Sequence, residues 1–451
     1  MKKHVIGILA ACHLIMLTPA HAQDTASARL NFSQALEKAF TYDQDLQAEE
    51  FQYQSTLQSR GLSKAALLPQ INFNLSLDRT ETLIERAQDT NISQTGRVPV
   101  NTNAYNLSLN QTIYNHSLYK KLQQTDLTIA AATANIDAAR QDLIVRLATT
   151  YFDVLGAQDG LKFANAEKEA IGKQLEQSKK RFEVGLIAIT DVKESQASYD
   201  TSVAAEIDSQ NILSAQFEAL AVILGEYTTN ITPLAEEFTL SLPEPANIQD
   251  WTDSALENNL ALKAAQFSFQ AAQKQVDADY SEHYPTLDLV ANHKFSSPDG
   301  SIFRGFAIDT TSTSVTVQLN VPIYSGGTTS TKTRQSVALK DRARSLKEKA
   351  RRQTLQQTRN AYLNVTSTIA QVKALKQALV SSQAAQEATQ AGFEVGTRTA
   401  IDVLTTLRDV FRAERDYARA RYNYLINTLQ LKQAAGTLTV QDGIAINNFL
   451  Q

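Results

Sequence analysis

Arg181-Phe182-Glu183-Val184-Gly185-Leu186-Ile187-Ala188-Ile189-Thr190-Asp191-Val192 and Gly392-Phe393-Glu394-Val395-Gly396-Thr397-Arg398-Thr399-Ala400-Ile401-Asp402-Val403 are two copies of one turn. Their shared Phe-Glu-Val-Gly recurs at an offset of 211 residues, and Tyr151/Tyr362, Asp191/Asp402 and Gly225/Gly436 keep the same offset. A constant offset across separate landmarks marks an internal duplication, so the fold is one unit built twice. Gly185 and Gly396 read as helix ends, because glycine adopts the left-handed backbone that a helix terminus needs. Thr190 or Asp191, and Thr399, are placed to cap the helices that follow.

Outward from the turns, proline decides where helices can lie. After Pro19 the prolines stand at 69, 99, 233, 243, 245, 285, 298 and 322, leaving 100–232 and everything beyond 322 free of them. Proline inside a helix removes a hydrogen bond and clashes with the preceding turn, so long helices belong in these gaps. Residues 117–180 and 328–391 are rich in Ala, Leu, Gln, Lys and Glu. Each predicts a helix about 96 Å long at 1.5 Å per residue. Shorter helices are expected at 45–67, 191–224, 260–283 and 401–435, and a short helical piece around Leu36. In each unit the two shorter helices together nearly equal the long one, so they should run end to end beside it. Residues 71–77, 105–113, 287–291 and 315–323 alternate apolar residues with Asn, Ser, Thr, Gln and Asp. That is the period of a strand with two unlike faces. Residues 81–103 and 296–310 read as loops. The strands would sit at one end of the molecule and the two turns at the other.

The first 22 residues read as an export signal, with Lys2 and Lys3, an apolar stretch from Val5 to Leu17 and a cleavage site at Ala20-His21-Ala22. Such a segment is removed from the mature protein. Leu9-Ala10-Ala11-Cys12 has the form of a lipobox, but the apolar stretch before it is very short. Cys12 is the only cysteine, so the mature chain has neither disulfides nor thiol chemistry. The net charge of −4 becomes more negative once the two lysines are removed, which argues against a nucleic-acid partner. No later run is apolar enough for a membrane helix. The histidines beyond the leader, His116, His283 and His293, lack metal-ligand spacing. There is no phosphate loop, nucleophile elbow or dinucleotide fingerprint, so no enzyme, metal or cofactor is expected.

Four amphipathic strands cannot close a barrel alone, because membrane barrels begin at about eight strands. An open sheet with one apolar face leaves reactive edges and a greasy surface. Self-association into a shared barrel resolves both, with the polar residues lining a wet lumen and Phe73, Tyr105, Tyr114, Phe295 and Tyr324 forming aromatic girdles. From alternation alone, a soluble sandwich fits as well, and alanine-rich helices also fit an ordinary coiled coil.

Four further stretches narrow the choice: Ala420 to Asn427 (ARYNYLIN), Pro322 to Gly327 (PIYSGG), His283 to Leu289 (HYPTLDL) and Leu67 to Gln70 (LLPQ). With the two turns, they make the chain resemble the TolC family of outer membrane factors, trimeric exit ducts of Gram-negative bacteria, over essentially the whole mature length. The resemblance implies a mainly α fold with a membrane β-barrel. Each protomer would give four strands and long antiparallel helices, and a homotrimer would form a 12-stranded barrel above a periplasmic helical tunnel. Residues 23–225 and 259–436 would be the two units, with 226–258 and 437–451 forming an equatorial belt. Most of the mass would lie in the periplasm, beneath outer-membrane lipid. The implied function is drug efflux and type I protein secretion with a periplasmic adaptor and an inner-membrane RND, ABC or MFS transporter.

The resemblance also implies site residues. The entrance would be held shut by Arg398 bonding Thr190 and Asp191, a charge-assisted and reversible latch. A family tyrosine that bonds the Asp191 position is Phe393 here, so that link should be absent. Gln174 matches its family position, but its usual glutamate partner is Gln390. Asp402 would form a constriction ring, and Thr405 stands where the family carries a second aspartate ring. Val184, Gly185, Leu186, Val395 and Gly396 would receive the adaptor's helical hairpins. The rival reading is a periplasmic coiled-coil adaptor or scaffold protein, against which the duplicated strand pairs speak.

Overall fold

The computed structural model describes residues 29–84, 96–235, 238–300 and 307–451; the expected leader at 1–22, with Cys12, lies outside them. The first pass runs α1 (Phe32–Tyr42), α2 (Gln44–Ala65), β1 (Gln70–Ile84), β2 (Gly96–Tyr114), α3 (His116–Glu183) and α4 (Ile189–Leu224). The same order returns as α5 (Ile248–Asn258), α6 (Leu260–Tyr280), β3 (Thr286–Pro298), β4 (Thr310–Asn320), α7 (Thr328–Glu394) and α8 (Ala400–Ala434). A last short helix, α9 (Val440–Ala445), and a 3-10 turn at Ile446–Phe449 follow. Each pass thus opens with an 11-residue helix, α1 or α5. α1 is the short helical piece expected around Leu36, whereas α5 falls in the stretch 226–258 that reads as a linker.

With 68 and 67 residues, α3 and α7 are each about 100 Å long at 1.5 Å per residue. Helices α2 and α4 pack along α3, and α6 and α8 along α7. The halves meet where α3 touches α6 on the strand side and α8 on the turn side. At the waist the segments around Leu30, Ile231, Leu234 and Leu450 are tied by single β-bridges. The fully buried Tyr151 hydroxyl lies 3.0 and 2.9 Å from the Leu30 and Thr232 carbonyls and accepts the Thr232 N–H at 3.1 Å. Burial pushes its pKa up, so it stays a neutral donor.

The sheet is antiparallel, in the order β1-β2-β3-β4, and among the described residues β1 and β4 have free outer edges. Register places Ile71, Leu109, Ala291 and Val315 in one row across all four strands. Phe73, Tyr105 and Phe295 stack at 6.1 and 5.4 Å on the same face. Among the described residues nothing covers this face, with Ile71 66% and Val315 71% exposed. Among the described residues no helix is long and apolar enough to cross a membrane.

Several boundaries differ from expectation. β1 and β2 take in 81–84 and 96–103 of the expected 81–103 loop, whose remainder lies outside the described residues, because Thr80, Thr82, Val98 and Val100 keep the ladder paired, and β-branched residues suit a pleated surface. Pro99 is tolerated because β3 pairs with β2 only from Thr102 onward, which leaves an edge where a missing N–H does no harm. At 15, 19, 13 and 11 residues, all four strands are longer than the expected spans. β4 stops at Asn320 rather than at Ile323, just before Pro322. α6 ends at Tyr280, followed by a 3-10 turn over Ser281–His283, because Tyr284 precedes Pro285 and is extended.

Candidate functional site

Both turns close in the same way. In the first, Gly185 N–H reaches the Phe182 carbonyl and Leu186 N–H the Arg181 carbonyl, each at 2.9 Å. In the second, Gly396 N–H reaches Phe393 at 3.2 Å and Thr397 N–H reaches Gly392 at 2.8 Å. These paired bonds are the Schellman closure of a helix. Gly185 and Gly396 sit at φ +78 and +79, a region that side chains other than glycine rarely adopt. Beside them Val184, Leu186 and Val395 are 69, 71 and 77% exposed, so both tips present uncovered apolar side chains.

Beyond the glycines the turns differ. Thr399 caps α8: its hydroxyl accepts the Asp402 N–H at 3.3 Å, while the Asp402 carboxylate accepts the Thr399 N–H and hydroxyl, each at 2.9 Å. These bonds, the backbone one foremost, and the nearby Arg398 charge hold the Asp402 carboxyl below its usual pKa. Asp402 is therefore a fixed negative charge. Thr405 is exposed on the same helix and donates to the Ile401 carbonyl at 2.8 Å. By contrast α4 starts at Ile189 with Ala188 as its N-cap and no side-chain cap bond. Neither Thr190 nor Asp191 caps it, because the helix begins before them.

The single chain does not bring Arg398 onto Thr190 or Asp191. Arg398 is exposed and gives its backbone N–H to Gly392 O at 3.2 Å. Among the described residues the side chains of Arg398 and Asp191 make neither a hydrogen bond nor an ion pair. Gln390 donates to Glu394 at 3.3 Å, and Gln174 is buried with its amide nitrogen unpartnered, so these two are not joined either.

The contact the sequence reading missed is Arg181. Its Nη1 donates to the Phe393 carbonyl at 3.1 Å, and its guanidinium lies 4.2 Å from the Phe393 ring centroid. Phe393 is buried with Ala400 and Val403 in a small core of its own. Phe393 is held by an arginine. Its counterpart in the other copy is Gly392, so the duplication itself gave no sign of the contact. Higher up, Arg415 pairs with Glu167 at 3.1 Å and Tyr422 donates to Asp159 at 2.6 Å, both between α8 and α3. No group of three or more His, Cys, Asp or Glu is placed to hold a metal among the described residues.

A duplicated helical unit with two matched turns at one end and a bare apolar sheet at the other is the setting in which likeness to known proteins becomes informative. Residues 34–226 and 251–437 match the family described as Outer membrane efflux protein. The chain belongs to this family. The Outer membrane protein TolC of Vibrio cholerae serotype O1 is 33% identical over 92% of this chain and 93% of its own length. The Alkaline protease secretion protein AprF of Pseudomonas aeruginosa is 26% identical over 90% of this chain and 84% of its own. Among solved structures, the Campylobacter jejuni CmeC outer membrane channel superposes with a TM-score of 0.78 at 14% identity, covering 92% of this chain and 89% of that one. The chain is an outer-membrane efflux protein, from a family of transport channels rather than enzymes, and the adaptor or scaffold reading is not favoured.

Proposed function

We propose that three copies of the chain form one duct. Its twelve strands, four from each copy, close a barrel in the outer membrane, and its helices form a tunnel through the periplasm. The open β1 and β4 edges and the uncovered apolar face support this assembly. Residues 23–225 and 259–436 are the two repeated units, and 226–258 with 437–451 form the belt between them. The duct serves drug efflux and, given its likeness to an alkaline protease secretion protein, type I protein secretion. A periplasmic adaptor seats its helical hairpins at Val184, Gly185, Leu186, Val395 and Gly396 and links the duct to an inner-membrane RND, ABC or MFS transporter.

The turn end is the gate. The observation that carries this reading is a pair of opposite charges, Arg398 on one turn and Asp191 on the other, whose side chains make no hydrogen bond or ion pair among the described residues. Across neighbouring copies Arg398 reaches Asp191 and Thr190. Three copies of Asp402 line the constriction and favour cations by focusing the field; Thr405 leaves the second position of that ring uncharged. The test is single-channel conductance in planar bilayers. Arg398→Ala should raise it over wild type, and an unchanged value refutes the latch.

A further inference from the structure

We propose that Arg181 is a second latch, one that fastens the first turn to the second inside each protomer. This rests on the reading of the turn end as a gate. The carbonyl that Arg181 grips, Phe393 O, already accepts Gly396 N–H in the closure of α7. It therefore lies at the negative end of that helix, where a cation is favoured and where arginine can satisfy a late carbonyl. The same guanidinium covers the face of a ring that is 2% exposed and anchored against Ala400 and Val403. One side chain from the end of α3 thus caps the end of α7 twice over, by a hydrogen bond and by a cation–π contact.

The clasp runs one way only. The position equivalent to Arg181 in the other copy is Gly392, and a Cβ there would stand 2.8 Å from Arg398 Cγ. Glycine at 392 makes room for the stem of Arg398. The duplicated site has therefore split into two tasks: arginine at 181 holds the turns together within a chain, and glycine at 392 frees Arg398 to reach outside it. Both acceptors of Arg181 are uncharged, so this latch needs no carboxylate, unlike the one at Arg398.

The experiment uses the full-length trimer in planar bilayers with Arg181→Met, which keeps the stem and removes the guanidinium, and Phe393→Leu, which keeps the carbonyl and removes the ring. Loss of a cation–π contact and its hydrogen bond should raise the open fraction of Arg181→Met about tenfold. Phe393→Leu should give a smaller rise, and the double variant no more than Arg181→Met alone. Trimers that melt on gels at the wild-type temperature show that the rise is not unfolding. Wild-type conductance in Arg181→Met, with Arg398→Ala open, overturns the clasp and leaves the gate standing. Wild-type conductance in both removes the gate reading and the clasp with it. Should Arg181→Met not assemble, Phe393→Leu and Arg181→Lys carry the test, and wild-type conductance in both overturns the proposal.

Discussion

The two turns share a backbone and differ in everything attached to it. Both end a long helix with the same pair of hydrogen bonds and a glycine at nearly the same φ. After the glycine the first turn continues Leu186-Ile187-Ala188-Ile189, apolar and uncapped, and the second continues Thr397-Arg398-Thr399-Ala400, polar and capped. The consequence reaches the equivalent aspartates. Asp402 is occupied by its own helix start, whereas the Asp191 side chain, with alanine at the cap, makes no hydrogen bond or ion pair among the described residues. Duplication preserved what terminates a helix and let the residues after it diverge.

The largest effect should test what the turns have in common. If both tips seat an adaptor, Gly185→Trp and Gly396→Trp should each abolish drug resistance in a duct-deficient strain. A side chain at positive φ costs about 1–2 kcal/mol, and no heavy atom lies within 4 Å of either missing Cβ, so trimers should persist. Resistance lost at one turn only would make docking one-sided. A smaller effect separates the turns. Removing a threonine N-cap typically costs about 1 kcal/mol, so Thr399→Ala should lower the thermal midpoint of the trimer slightly and leave Asp402 mobile. Ala188→Ser should do the reverse at the first turn. If both substitutions were neutral, capping would not be what distinguishes the two.

Much of this was legible in the sequence because it is written in backbone chemistry. Glycine at 185 and 396, the proline gaps and the alternating strands each speak for local geometry, and the long helices fell within three residues of their expected ends. The strand lengths were less legible. Thr, Val and a lone proline in 81–103 look like loop until a neighbouring strand supplies the ladder. The cap at Ala188 was missed because Thr190 and Asp191 are better capping residues than alanine, yet α4 starts one residue before them. Arg181 was missed for a different reason: its partner lies 212 residues away, and no local period connects them.

The smallest expected effect concerns acid, and it follows from the same asymmetry. The Asp402 carboxyl is held below its ordinary pKa by the bonds from Thr399, so its folded value lies under the unfolded one. A group shifted in this sense contributes stability above the unfolded value, near 4, and loses it as pH falls through the folded value. Protonation should therefore fray the first turn of α8, while α4, which has no capping carboxylate to lose, should respond little. Hydrogen exchange compared as protection factors for 399–403 and 188–192, from neutral pH down through the carboxylate range, reads this directly. Asp402→Asn should remove the pH dependence at α8, because a neutral amide carries no charge to lose. Equal acid fraying at both helix starts, or fraying that survives Asp402→Asn, would mean that the capping box is not what sets the second turn apart.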